Sequence, residues 1–232
     1  MKSFLVLALI AASSSSLANA QNNFYASLKS GVIDTKFKNS QYEYIESDEL
    51  YLADNQNKSM HSAIALAVGY DFSKTYPLNV RLELEYMDKG ETTYNPDFNT
   101  LIDFSGVYQY GISSSFINEL NVESLMLNGY YDFKNTSKVT PYVSAGVGLT
   151  RIENKIQNIE VNSTDTASDD QITWSAGMGL TYAVSENFAL DLSYRYVDSG
   201  NFNFKTKFHG IAVHSEAKLV SNEYLLGARY SF

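Results

Sequence analysis

Apolar and polar side chains alternate with a period of two along most of the chain after residue 20, and that period belongs to extended strands. The last segment is the clearest. Tyr224, Leu226, Ala228, Tyr230 and Phe232 share one parity, whereas Glu223, Gly227, Arg229 and Ser231 share the other. Eight such segments are predicted, at 23–33, 61–72, 78–88, 122–133, 139–151, 171–184, 187–197 and 218–232. Each is long enough to cross a bilayer as a tilted strand, which takes about 9–11 residues. The connections take turns: those at 73–77, 134–138 and 185–186 are short, and those at 34–60, 89–121, 152–170 and 198–217 are long and polar. Sorting of loop lengths by end is what a transmembrane barrel produces. The predicted fold is therefore all-β: an eight-stranded antiparallel up-and-down transmembrane barrel with short periplasmic turns and four long extracellular loops.

The two parities differ in chemistry. One runs Ile64, Leu66, Val68, Tyr70, Phe72; Val80, Leu82, Leu84, Tyr86; Trp174, Ala176, Met178, Leu180, Tyr182, with aliphatics in the middle and aromatics towards the ends. That distribution suits a lipid-facing band bounded by interfacial rings. The other parity mixes small residues (Ala63, Ala65, Ala67, Gly69; Ser144, Gly146, Gly148) with charges. Glycine weakens a water-facing strand, whereas small residues and opposed charges suit the crowded interior of an eight-stranded barrel. Lys29, Arg81, Arg195 and Arg229 are expected to face Asp71, Glu83, Glu85, Asp132, Asp191 and Glu223 in one lumenal ion-pair network, because enclosed charges are tolerated only when paired. The network is expected to plug the lumen. The alternative is a small ion-conducting channel whose pairs exchange partners.

Composition adds the compartment. Lys2, the nine-residue apolar run Phe4 to Ala12, and the small-x-small ending Ala18-Asn19-Ala20 read as a secretory signal peptide over 1–20, cleaved after Ala20, leaving 21–232 as the barrel domain. Cysteine is absent, so no disulfide framework is available to hold an exported fold. The formal charge is −9, and loss of Lys2 makes it −10, an acidity that argues against nucleic acid as a partner.

Four stretches carry a resemblance: Leu125 to Phe133, Thr140 to Gly148, Ala189 to Tyr196 and Ser221 to Phe232. They resemble the eight-stranded outer-membrane barrels of the opacity-protein and surface-antigen family, related in fold to the membrane domain of outer membrane protein A. The resemblance implies a bacterial outer-membrane location, contact with outer-membrane lipid and lipopolysaccharide, and assembly by the barrel-assembly machinery, which reads the terminal strand at Tyr230 and Phe232. No cofactor is expected from the residues, which offer neither a spaced His pair nor a cysteine. Function in that family ranges over adhesion, immune evasion, structural roles and slow pores, so fold alone does not settle activity.

Catalysis is not expected. His214-Ser215-Glu216 is the nearest approach to a nucleophile site, as in a lipid A-modifying enzyme, but adjacent strand residues point to opposite faces. A metal site lacks a spaced His pair and cysteine; Asp165, Asp169 and Asp170 are read as a solvated acidic loop. Specificity is expected in the loops, where Tyr94, Phe98, Phe104 and Tyr108 in the second, and Phe202, Phe204 and Phe208 in the fourth, lie among small polar residues. These rings either contact a host-surface or other extracellular ligand or pack together over the barrel mouth.

Overall fold

The computed structural model describes residues 23–44, 49–53, 58–94, 97–103, 106–113, 116–158, 163–208 and 211–232. The proposed signal peptide, with Ala18 and Ala20, lies outside the described residues, as does Phe104. Eleven strands follow in chain order: β1 (Phe24–Tyr44), β2 (Glu49–Ala53), β3 (Lys58–Asp71), β4 (Val80–Tyr94), β5 (Asp97–Asp103), β6 (Gly106–Ser113), β7 (Phe116–Asp132), β8 (Val139–Asn158), β9 (Ser163–Ala183), β10 (Phe188–Phe208) and β11 (Ile211–Ser231).

Eight of them close a barrel in the order β1-β3-β4-β7-β8-β9-β10-β11, with β11 returning to β1 and every pairing antiparallel. Closure satisfies the backbone groups of both would-be edges. The seam runs from Tyr25 opposite Ser231 to Tyr44 opposite Val213, and the Phe232 N–H donates to Phe24 O at 3.1 Å. At one end, residues 72–79, 133–138 and 184–187 make short turns. The first opens with a 3-10 turn, Phe72–Lys74, capped by Asp71.

At the other end the strands run on. Residues expected to be loop at 34–44, 89–94, 116–121, 152–158, 163–170, 198–208 and 211–217 are strand. β2 is paired to the distal part of β1, and the hairpin β5–β6 from the second long connection is paired to β2. The long connections are therefore largely ladder. Three register shifts lie in the extended barrel strands, at Lys38/Gln41 in β1, Asp88/Glu91 in β4 and Asp198/Asn201 in β10, each setting two residues against one. In the last two a glycine occupies the left-handed region, Gly90 at φ 69° and Gly200 at φ 80°. Its N–H donates to the preceding aspartate, Asp88 (2.8 Å) or Asp198 (3.1 Å).

The wall has its greasy side out. Leu66 is 51% exposed and Leu192 59%, while the intervening parity holds Ala65 at 1% and Glu85 and Glu223 at 0%. Aromatic residues bracket the exposed aliphatics: Tyr182 and Trp174 lie eight residues apart on β9, as do Phe188 and Tyr196 on β10. At about 3.3 Å per residue and a tilt near 40°, the brackets stand roughly 20 Å apart, close to the ≈ 25 Å of an outer-membrane apolar band.

Candidate functional site

Inside the barrel, β1, β4, β10 and β11 aim charges at one another. Lys29 Nζ pairs with Glu83 and, at 2.6 Å, with Glu85; Arg195 pairs with Glu85 at 2.6 Å and with Glu223; Lys89 reaches Glu223 at 2.8 Å. The result is an alternating chain, Glu83–Lys29–Glu85–Arg195–Glu223–Lys89, that crosses the lumen and carries no net charge. Tyr130 on β7 ties into it, its hydroxyl donating to Glu83 (2.8 Å) and accepting from Lys29 (3.1 Å). Nearer the short turns, Arg81 grips Asp132 through Nε and Nη2, both at 2.8 Å, with its guanidinium 4.5 Å from the Tyr130 ring centre. Arg229 lies 3.9 Å from Asp191 and 5.3 Å from the Tyr25 ring, and Thr181 donates to Asp191.

Of the charges expected in this network, Asp71 is elsewhere. Its carboxylate accepts from the Ser73 N–H (2.9 Å) and hydroxyl, capping the 3-10 turn. The sequence places it on the inward parity, but the strand ends there and a free backbone donor claims it. Lys89 is the member not among the expected charges, because position 89 falls in a stretch expected to be loop. Continuing the parity Arg81, Glu83, Glu85 through Met87 would have found it.

Beyond the charges, towards the long end, the lumen turns apolar. Phe37, Leu120, Val122, Ile152, Phe202, Phe204 and Leu219 form one buried cluster. Phe202 (1% exposed) and Phe204 (6%), two candidates for surface contact, therefore face inward and are not available to a partner. The bulge at Asp198–Asn201 flips the inward parity from odd (Arg195, Val197) to even, which turns these rings into the barrel. Tyr94, Phe98, Tyr108 and Phe208 lie on β4, β5, β6 and β10.

The lumen thus holds two buried layers, the ion pairs and the apolar cluster. The cavity beside Lys29 and Arg195 measures about 10 Å³, room for one water at most. His214, Ser215 and Glu216 are successive residues of β11. Asp169 accepts from the Asn203 N–H (2.8 Å) and Asp170 holds Arg151 (2.7 and 2.8 Å). Among the described residues no three His, Asp or Glu side chains gather as metal ligands would.

The model of the outer membrane protein beta-barrel domain matches residues 4–232. The chain belongs to this family. Outer membrane protein PagN of Salmonella typhimurium is 32% identical over 246 residues, covering 100% of both chains. A Rickettsia conorii protein named as a candidate adhesin is 28% identical over 110 residues, 44% of each chain, so this chain spans under half the length of that relative. Neisserial surface protein A superposes with a TM-score of 0.53 over 90% of this chain and 97% of its own, at 19% identity, a likeness of fold. An outer membrane protein beta-barrel whose wall is exposed hydrocarbon has its place in the bacterial outer membrane, in contact with lipid.

Proposed function

We propose that the protein is a non-enzymatic surface-contact barrel whose distal rim meets a host surface or another extracellular ligand. The observation that carries the reading is the contrast between the two parts of the molecule. The lumen is shut by a charge-neutral chain and an apolar cluster, while seven of the eight barrel strands continue past the apolar band and add the β2-β5-β6 sheet at one end. Material is invested in the rim and not in a passage. Candidate adhesins among the relatives support the same reading. In this arrangement the long end is extracellular, both termini are periplasmic, residues 1–20 are cleaved, the wall meets lipopolysaccharide, and the barrel-assembly machinery engages Tyr230 and Phe232.

The test replaces residues 96–114, the β5–β6 hairpin, with a two-residue turn in bacteria expressing the protein. Binding to epithelial cells should fall to that of non-expressing bacteria while the heat-modifiable gel band of a folded barrel persists. Undiminished binding with a folded barrel would remove the rim from the contact. Protease added to intact cells should cut at the long end and spare the short turns.

A further inference from the structure

All but one of the lumenal cations are held tightly. Lys29, Arg81, Lys89 and Arg195 each reach a carboxylate at 2.8 Å or less. Arg229 is the exception. Asp191 lies 3.9 Å from its Nε, outside hydrogen-bonding range, and that carboxylate already accepts from the Thr181 hydroxyl. The Arg229 side chain is 13% exposed, its Nη1 is buried without a partner, and its guanidinium makes no hydrogen bond among the described residues. An enclosed fork of donors with nothing to accept from it is costly, so the group is poised to take an acceptor from outside the chain.

The register explains the room in front of it. Arg229 on β11 stands opposite Ala189 on β10, which stands opposite Ala183 on β9. Two methyl groups, where neighbouring strands could carry long side chains, leave a cavity of about 180 Å³ that opens among the short turns. Thr140 and Thr181, register partners one inward row further from the turns, line it as well. Asp71 and Asp132 stand in its wall, but Ser73 and Arg81 occupy them. The charges are even: Arg229 is offset by Asp191, Arg81 by Asp132, and at the lip Lys74 and Lys134 offset Asp71 and Glu186. A neutral, partly enclosed site accommodates one added negative charge far better than two. The planar fork of a guanidinium matches the two oxygens of a carboxylate.

We propose that this vestibule binds one carboxylate monoanion, seated on the Arg229 guanidinium with its apolar part against Ala183 and Ala189. A small free carboxylate and the end of a peptide chain both carry that group. The site is independent of the contact function of the rim. The test titrates the detergent-folded, isotope-labelled barrel, read by nuclear magnetic resonance, with acetate, N-acetyl-alanyl-alanine, the amide-capped form of that peptide, and dianionic phosphate. Acetate and the free-acid peptide should give saturable, single-site shifts of the Arg229 Nε–H and the Ala189 amide, and the capped peptide none. Phosphate should bind roughly fivefold more weakly than acetate, as one unoffset charge near a surface would cause. Tighter binding of the peptide than of acetate would assign the site to peptide ends, and equal or weaker binding to small free carboxylates. Arg229→Gln should weaken binding roughly tenfold, the loss of a charge-assisted hydrogen bond. If Arg229→Gln fails to assemble, Ala189→Leu, which fills the cavity and keeps the guanidinium, should weaken it as much. The absence of saturable shifts, a capped peptide equal to the free acid, phosphate as tight as acetate, or binding undiminished in the variants would overturn the proposal.

Discussion

Glu85 accepts from both Lys29 and Arg195 while fully enclosed, so it neutralises two cations at once. Glu85→Gln removes that charge and keeps the shape. Breaking a buried pair costs about 3–5 kcal/mol, and the lower end applies because Lys29 keeps Glu83 and Arg195 keeps Glu223. The urea midpoint of the detergent-folded barrel should fall accordingly; an unchanged midpoint would show that the chain contributes nothing to stability. The Arg151–Asp170 pair outside the apolar band behaves differently. Arg151's hydrogen bonds hold the Asp170 carboxyl below its usual range. A carboxylate with a lowered folded-state pKa contributes stability above its unfolded value and loses it as pH falls through the folded one. Carboxyl chemical shifts should therefore show Asp170 still ionised where ordinary aspartates have protonated, and Arg151→Gln should return it to their range.

At the scale of the element, the bulges decide what the strands can do. Tyr86-Met87-Asp88-Lys89-Gly90 and Tyr196-Val197-Asp198-Ser199-Gly200 place an aspartate and a glycine identically, and each bulge lies just beyond an outward tyrosine of the wall. Gly200→Val forces a β-branched residue into the left-handed region, which costs about 1–2 kcal/mol or more. The expected outcome is a lower midpoint and faster proteolysis within distal β10, with the membrane band intact; unaltered cleavage would argue against the bulge as a fixed joint. The same joints explain why the distal strands were hidden in the sequence. Alternation is readable while one face meets lipid, but beyond the band both faces are polar or the parity has flipped. Thus Lys89, Phe202 and Phe204 read as loop although they belong to the barrel interior.

For the whole molecule, closure of the sheet and the two buried layers in the lumen are the governing facts. The ion-pair chain and the Phe202 cluster lie at different depths, so removing one leaves the other. Phe202→Ala should cost about 3–5 kcal/mol, yet planar bilayers should still show no stable, salt-scaled conductance. Such conductance in the native protein would favour a channel over a plug. Phe232 joins the first strand through its N–H and stacks edge-on to Tyr230 at 5.5 Å. Deleting it should reduce outer-membrane yield far more than synthesis, and equal yields would deny it a part in assembly.

The alternation of Leu, Tyr and Phe with Ala, Gly and charge by itself determined the eight barrel strands, their antiparallel up-and-down order and which face is greasy, because a period of two means an extended strand; the distal extensions and β2, β5 and β6 came only with the structure. Tyr230 and Phe232 marked the closing strand through the resemblance to other outer-membrane barrels, not through the period. Only the tertiary structure decided which carboxylate meets which cation, since pairs such as Glu85–Arg195 join β4 to β10 across the lumen rather than between bonded neighbours. It also took Asp71 away to a turn and turned Phe202 and Phe204 inward. A register shift of one residue reverses every side chain beyond it; an Asp-x-Gly stretch stands at two of the three shifts, but the alternation of apolar and polar residues gives no sign of them.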